Sequence, residues 1–450
     1  MKLRLSLSPP RRVRRGMPCA FALALILGAC TGRISGGGSG LGAAAGSGAG
    51  TSAPSGAAGV GAGGAQGTAG ATASLPPPPS SLSSPSPCTS QSPGPRSLRR
   101  LTAPQFASTL RDLFRDPMVP TVTVFSDPLV LGFSVDADAL LVQGLNAQQL
   151  ADYAETVAHW AVTNHLPQLS SCTTTDATCR QSFIRAFGRR AFRAPVTDAQ
   201  VTAYDALFTA EASFNDGVEA VVTAMLQSPY FLYRRELGAG TGAVVSLTPH
   251  EVASSLSYLL IGSMPDDQLL AAADAGQLST PQQIDQQVTR LLQDPRAPDA
   301  LMGFMTGWLG LDRLDTVVKD DTFYMPSPTL KASMAGETRA FLVDAFTNNL
   351  PVSSLFTAPY SFFNQELGQF YGIYPSDGTQ LDATFKKVTL QTGQRDPGLL
   401  AQGSVLTGYS DAAISSPVLR GKLVRTRLLC QSIPPPPATV PVASMATPFS

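Results

Sequence analysis

The 450-residue chain has length for two or three domains, but its charged fraction of 14% falls well below the roughly 25% of an ordinary soluble domain. The formal net charge of zero hides an asymmetry: six basic residues and no acid precede position 30, which leaves 26 basic against 32 acidic residues and a net charge of −6 beyond it. A nucleic-acid binder would need a basic patch, and a multi-span membrane protein would need runs of about 18 apolar residues; the sequence offers neither.

Lys2, Arg4, Arg11, Arg12, Arg14 and Arg15 lead into a short apolar run from Met17 to Ala29. A basic stretch before a short apolar one has the form of a secretory signal, too short to span a bilayer as a helix. It ends in Leu27-Gly28-Ala29-Cys30, which resembles the bacterial lipobox, whose cysteine is lipidated. Residues 1–30 are therefore expected to be a lipoprotein signal with Cys30 as the lipidation site. Thr31 rather than an acid after the cysteine points to the outer membrane, on its periplasmic or surface side. The stretch from Thr31 to Leu98 holds 17 of the 40 glycines, with most of the rest Ala, Ser and Pro. Such a segment buries too little apolar surface to offset its ordering entropy, so 31–97 reads as a disordered linker. Gly59-Val-Gly61-Ala-Gly63-Gly64 spells a dinucleotide fingerprint by letters alone, without a strand before it or a helix after it.

Beyond the linker the pattern is helical. Thr102-Ala-Pro-Gln105, Thr197-Asp-Ala-Gln200, Thr248-Pro-His-Glu251 and Thr280-Pro-Gln-Gln283 each have the capping-box form in which Thr and the third residue on satisfy one another's backbone amides. Behind them, apolar residues recur at helical spacing, as in Phe106, Leu110, Leu113 and Phe114 or Ile284, Val288, Leu291 and Leu292. Further helical patterns cover Gln148–Asn164, Asp216–Gln227, Ala297–Leu311, Leu330–Asn348 and Val418–Cys430. Thr121–Phe125 and Phe385–Leu390 are the best strand candidates. The expected fold is mostly α, a multi-helical bundle-like body after a disordered Gly/Ala/Ser/Pro linker. Its expected segments are 98–165, 166–240, a central helical domain at 241–375 and a C-terminal segment at 376–450.

Cys172 and Cys179 lie in a polar loop between helical segments of an exported chain, which predicts a local disulfide. Cys88 with Cys430 follows only by elimination. His159 and His165 are six apart and do not share a helix face. His250-Glu251 begins like a zinc motif, but Ser254 stands where the second His belongs, and Glu251 is explained as the capping-box acid. With no second ligand at metal spacing, no metal is expected; no Cys-x-x-Cys-His occurs, which excludes covalent c-type haem attachment, and no cofactor is expected. Gly408-Tyr-Ser410-Asp-Ala412 misses the hydrolase elbow because Ala412 replaces its last glycine. Among the acids, Asp266-Asp267 suits the start of a helix. Glu337 sits in a helix near Arg339 and Arg313, either as a buried pair or on a solvated face. Glu337, Asp267 and Arg420, which opens the last helix, are the catalytic candidates.

Four sets of residues carry a family resemblance. They are Arg99-Arg100-Leu-Thr through Arg111-Asp112; Phe187-Gly-Arg-Arg-Ala-Phe-Arg-Ala-Pro195 with Leu226-Gln-Ser-Pro-Tyr-Phe-Leu-Tyr-Arg-Arg-Glu236; Glu251 through Leu260 with Met264-Pro-Asp-Asp267, Trp308, Glu337 and Tyr371-Gly372; and Gly398 through Ser404 with Ser416–Gly421 and Pro434–Pro437. In this order they resemble the domains of unknown function fifteen-eighty-seven, fifteen-ninety-five, fifteen-ninety-two and the start of fifteen-eighty-eight, found in exported planctomycete and myxobacterial proteins. The resemblance brings no catalytic residues. It implies company with c-type cytochrome-like elements, and the fourth segment usually runs on into a Cys-x-x-Cys-His-like stretch. This sequence stops at Ser450, so either the redox part has been lost or the chain is truncated. The expected role is a lipid-anchored module beside an envelope cytochrome or a polymer-degrading partner. The alternative is a hydrolase of extracellular polysaccharide using acids such as Glu337 or Asp267.

Overall fold

The structure, a computed structural model, describes residues 94–320, 322 and 326–433. The signal, Cys30, the linker and Pro434–Pro437 lie outside the described residues. All four threonine boxes are formed. Thr102, Thr197, Thr248 and Thr280 each accept from the amide three residues on, and Gln105, Gln200, Glu251 and Gln283 return the bond. Each such cap is worth about 1 kcal/mol to its helix.

Strand β1 (Ser97–Arg100) opens the body. Helices α1 (Ala103–Phe114), α2 (Gly144–Leu169), α3 (Ala177–Phe192), α4 (Asp198–Thr209), α5 (Phe214–Gln227) and the single turn α6 (Pro229–Leu232) follow. Strand β2 (Tyr233–Glu236) then returns antiparallel to β1, with Leu98 opposite Arg235 and Arg100 opposite Tyr233. One face of each helix feeds a shared core that includes Phe106, Leu110, Val157, Phe183, Val221 and Phe231. The chain continues through α7 (Pro249–Leu260), α8 (Asp267–Asp274) and α9 (Pro281–Leu291), which close a small second core around Ala253, Leu269 and Leu291.

Helix α10 (Ala297–Leu309), the turn α11 (Arg313–Thr316), α12 (Pro328–Thr347) and the turn α13 (Ser354–Thr357) come next. Strand β3 (Tyr360–Phe363), α14 (Gln365–Tyr371) and β4 (Lys386–Thr389) follow, with β3 and β4 antiparallel. A 3-10 turn (Leu399–Ala401) leads to α15 (Gly403–Gly408) and α16 (Pro417–Leu423), and a π turn (Val424–Leu428) closes the last helix. Helix α12 lies between two clusters, one holding Phe341, Leu342 and Val405 and the other Met334, Phe363 and Leu367.

The mostly α expectation holds, with informative differences. Thr121–Phe125 is extended but joins no ladder; the Val124 carbonyl instead accepts from Asn146 Nδ2 at 2.9 Å and the Pro120 carbonyl from the Tyr153 hydroxyl. Phe385–Leu390 does contain a strand, β4. The helix expected over Val418–Cys430 is a shorter α-helix that widens into the π turn.

Cys172 and Cys179 are joined, with their Cα atoms 5.9 Å apart. Because the bridge closes a short loop, its removal should cost about 2–3 kcal/mol. Peptide mapping without reductant should recover the two as one cross-linked species, and a Cys172→Ser/Cys179→Ser variant should unfold at lower urea. Cys430, at the end of the last helical turn, is exposed and has no disulfide partner among the described residues; Cys88, its candidate partner, lies outside them.

Candidate functional site

The residues that looked most distinctive in the sequence meet one another across long stretches of chain. Arg100, wholly buried, donates to the Leu101 and Ser126 carbonyls and pairs with Asp127 at 3.1 Å, while its guanidinium lies 4.2 Å from the centre of the Phe125 ring. Arg193 ends α3 and is buried without a carboxylate. Its Nη2 donates to the Tyr230, Phe231 and Tyr233 carbonyls at 2.9–3.0 Å, and its Nη1 reaches Ala191. Burial pushes its pKa down from the usual guanidinium value. The guanidinium groups of Arg193 and Arg234 both face the Tyr258 ring, whose hydroxyl bonds to Thr109 at 2.7 Å. Asp112 accepts from Ser263 at 2.6 Å and Arg296 at 2.7 Å. These pairs tie the first helices, the β1–β2 ribbon and α7 together.

Glu337 forms the other chemically rich cluster. It projects from the middle of α12 with no solvent exposure. Its Oε1 pairs with Arg395 Nη2 at 2.8 Å and accepts from the Ser361 hydroxyl at 2.5 Å. Arg395 comes from the loop after β4, and its guanidinium sits against the Phe363 and Tyr371 rings, 5.2 and 5.0 Å from their centres. Thr338, Gln402 and Ser404 extend the polar network into α15. A Cβ on Gly403 would lie 2.4 Å from the Tyr371 hydroxyl, so the close approach of α15 requires glycine. Burial pushes the Glu337 carboxyl above the ordinary carboxylate range, against the opposing pull of Arg395, Ser361 and Tyr371. Glu337 Oε2 and all three guanidinium nitrogens of Arg395 have no hydrogen-bond partner among the described residues, so the 2.8 Å Nη2–Oε1 contact is an ion pair.

Of the two readings held open for Glu337, the buried pair is the one formed. The partner is Arg395; Arg339 instead pairs with Asp299, and Arg313 donates to the Gly408 carbonyl. Nothing local marked Arg395, a single arginine in a polar loop without periodicity. The only hint was Glu337 itself, an acid on a helix otherwise suited to packing.

Asp267 lies elsewhere, exposed at the first position of α8, where Asp266 caps the helix and Asp267 pairs with Arg115 and Arg190. Glu251 is confirmed as a cap: burial raises its pKa, but bonds from the amides of Thr248, Leu237 and Gly238 prevail and hold it below the usual range. Among the described residues no group of three His, Cys, Asp or Glu could hold a metal ion.

Arg420 belongs to a third corner. Its Nη2 donates to Ser415 Oγ at 2.9 Å, and no carboxylate pairs with it among the described residues. Ser415 forms an isolated antiparallel bridge with Ser410. The Ser410 hydroxyl receives a hydrogen bond from Lys319 Nζ and donates its own proton to the Thr407 carbonyl at 2.9 Å; Lys319 Nζ also donates to the Asp411 carbonyl at 2.7 Å. Ser410 follows the end of α15 rather than a strand, so the hydrolase elbow is absent there.

No curated protein and no solved structure matches the chain. Four family models do, each described as a protein of unknown function: PSD3 (DUF1587) over residues 99–163, PSD5 (DUF1595) over 179–236, PSD4 (DUF1592) over 247–373 and PSCyt3 (DUF1588) over 396–449. The four lie in the order expected from the sequence motifs and together cover about two thirds of the chain. The ties of Arg100 and Arg193 each lie within one matched stretch, and Glu337 reaches Arg395, one residue before the last stretch. The chain belongs to the family of proteins assembled from these four domains of unknown function.

Proposed function

We propose that this protein is a lipid-anchored module of the cell envelope, held by diacylated Cys30 at the outer membrane and set beside an electron-transfer or polymer-degrading partner such as an envelope cytochrome. The observation that carries this reading is Leu27-Gly28-Ala29-Cys30 at the end of a basic-then-apolar leader. A Gly/Ala/Ser/Pro stretch follows it, before the helical body begins at Ser97. A flexible tether of about 65 residues has a typical reach of roughly 40–50 Å. That distance lets the body meet a partner that is not itself in the bilayer.

The rival reading is a polysaccharide hydrolase. Glycosidase chemistry needs two carboxyls flanking a bound sugar, about 5–9.5 Å apart. Glu337 is closed off by Arg395, and Asp267 is engaged with Arg115 and Arg190 on a different helix, which supports the module over that enzyme.

Growth with labelled palmitate tests the anchor. The wild-type chain should take up label and sediment with membranes, and Cys30→Ala should lose both. Unchanged sedimentation of that variant would overturn the reading. For the rival, the decisive result is cleavage of a polysaccharide panel that Glu337→Gln abolishes at an unchanged melting temperature.

A further inference from the structure

We propose that Ser410 and Lys319 form a nucleophile–base pair that hydrolyses small carboxylic esters at the surface of the body, with Arg420 favouring esters that carry a negative charge. This inference is independent of the anchor. The segment before α12 runs alongside the loop after α15: the Asp320 amide donates to the Ala412 carbonyl at 3.1 Å. That pairing points Lys319 at the loop, where its Nζ meets the Ser410 hydroxyl and the Asp411 carbonyl.

The two partners differ in exposure in the way the chemistry requires. Lys319 is only 9% exposed, whereas Ser410 is half-buried and the neighbouring residues Asp411 to Ser415 are exposed. A substrate can reach the hydroxyl while the amine behind it stays poorly hydrated. A buried lysine gives up its proton more readily, and serine–lysine pairs use this to activate the hydroxyl. Burial does lower the Lys319 pKa, the charge of Lys331 adds to this, and Asp411 opposes it. Arg420 stands one side chain away, on Ser415, with no described carboxylate to neutralise it.

The reaction balances without a co-reactant other than water. The Ser410 hydroxyl turns its proton from the Thr407 carbonyl to neutral Lys319 Nζ, which takes it as Ser410 Oγ adds to the ester carbonyl. Collapse of the tetrahedral adduct breaks the C–O bond to the leaving alcohol, which takes that proton from the lysine ammonium. Water, deprotonated by Lys319, then attacks acyl-Ser410. The acid is released, and the proton returns to the Ser410 oxygen.

The test is labelling of the full chain by a fluorophosphonate probe, followed by peptide mapping. The expected result is one phosphonylated residue, Ser410, with labelling abolished in Ser410→Ala. Lys319→Arg keeps a donor for the loop but is no base at neutral pH, so it should label at least about 100-fold more slowly. Arg420→Met should lower the preference for the nitrophenyl half-ester of succinate over nitrophenyl acetate. An unlabelled Ser410 in the folded wild-type chain would overturn the proposal, and so would labelling unchanged by Ser410→Ala or by Lys319→Arg. If Lys319→Arg does not fold, Lys319→Gln makes the same test of the base, with the same slowing of Ser410 labelling expected.

Discussion

Arg395→Ala is expected to cost about 3–5 kcal/mol of folding stability, because it leaves a buried carboxylate without its counter-charge. Glu337→Ala should cost a similar amount by stranding the guanidinium between Phe363 and Tyr371. The double replacement Glu337→Met/Arg395→Met should cost much less than either, since it removes both desolvated charges together. A pair whose Oε2, Nε and Nη1 are unpartnered among the described residues contributes more to the placement of the 391–398 loop than to net stability. Urea unfolding of wild type and the three variants compares these costs. The pH dependence has a definite sign. Burial raises the folded-state pKa of Glu337, so between the unfolded and folded values the native state holds more protons than the unfolded one. The group's contribution is therefore full below the ordinary carboxylate range and is lost as pH rises through the raised value. Glu337→Gln removes this slope, so the stability of wild type relative to it should fall with rising pH. A flat difference across that window would show that burial does not dominate at Glu337.

Arg193 is expected to be the most sensitive position in the first half of the body. One guanidinium serves four carbonyls from α3, α6 and β2, those of Ala191 and Phe231 buried and those of Tyr230 and Tyr233 partly so, and each hydrogen bond to a charged group is worth about 1.5–3 kcal/mol. Arg193→Ala should cost about 4 kcal/mol or more, since the carbonyls stay wholly or partly buried and lose their donor. Arg193→Lys should recover only part of this, because a single ammonium cannot reproduce the planar fork. Thermal unfolding compares the two directly; a lysine variant as stable as wild type would mean that charge alone suffices.

What the sequence revealed and what it concealed divide by distance along the chain. Thr102, Thr197, Thr248 and Thr280 were readable as caps because a capping box is complete within four residues. Cys172–Cys179 was readable for the same reason, with the partners seven positions apart. The β1–β2 ribbon was not: each strand is four residues long, too short for alternation to register, and its partner lies beyond five intervening helices and a turn. Arg395 on Glu337 and Lys319 on Ser410 are likewise contacts between loops and distant elements, where neither partner belongs to a periodic pattern. Thr121–Phe125 joins no ladder; side chains of α2 bond to its Val124 carbonyl and to the preceding Pro120 carbonyl instead. Asp267 and Arg420 were singled out as charged residues at helix starts, and only Arg420 falls beside reactive groups.

The central functional claim, that this helical body is carried on a lipid, is tested most directly by the mass of the N-terminal peptide of protein purified from membranes. The expected mature chain starts at Cys30, with the mass of a diacylglyceryl group on that residue. A chain starting elsewhere, or one with an unmodified Cys30, would contradict the claim.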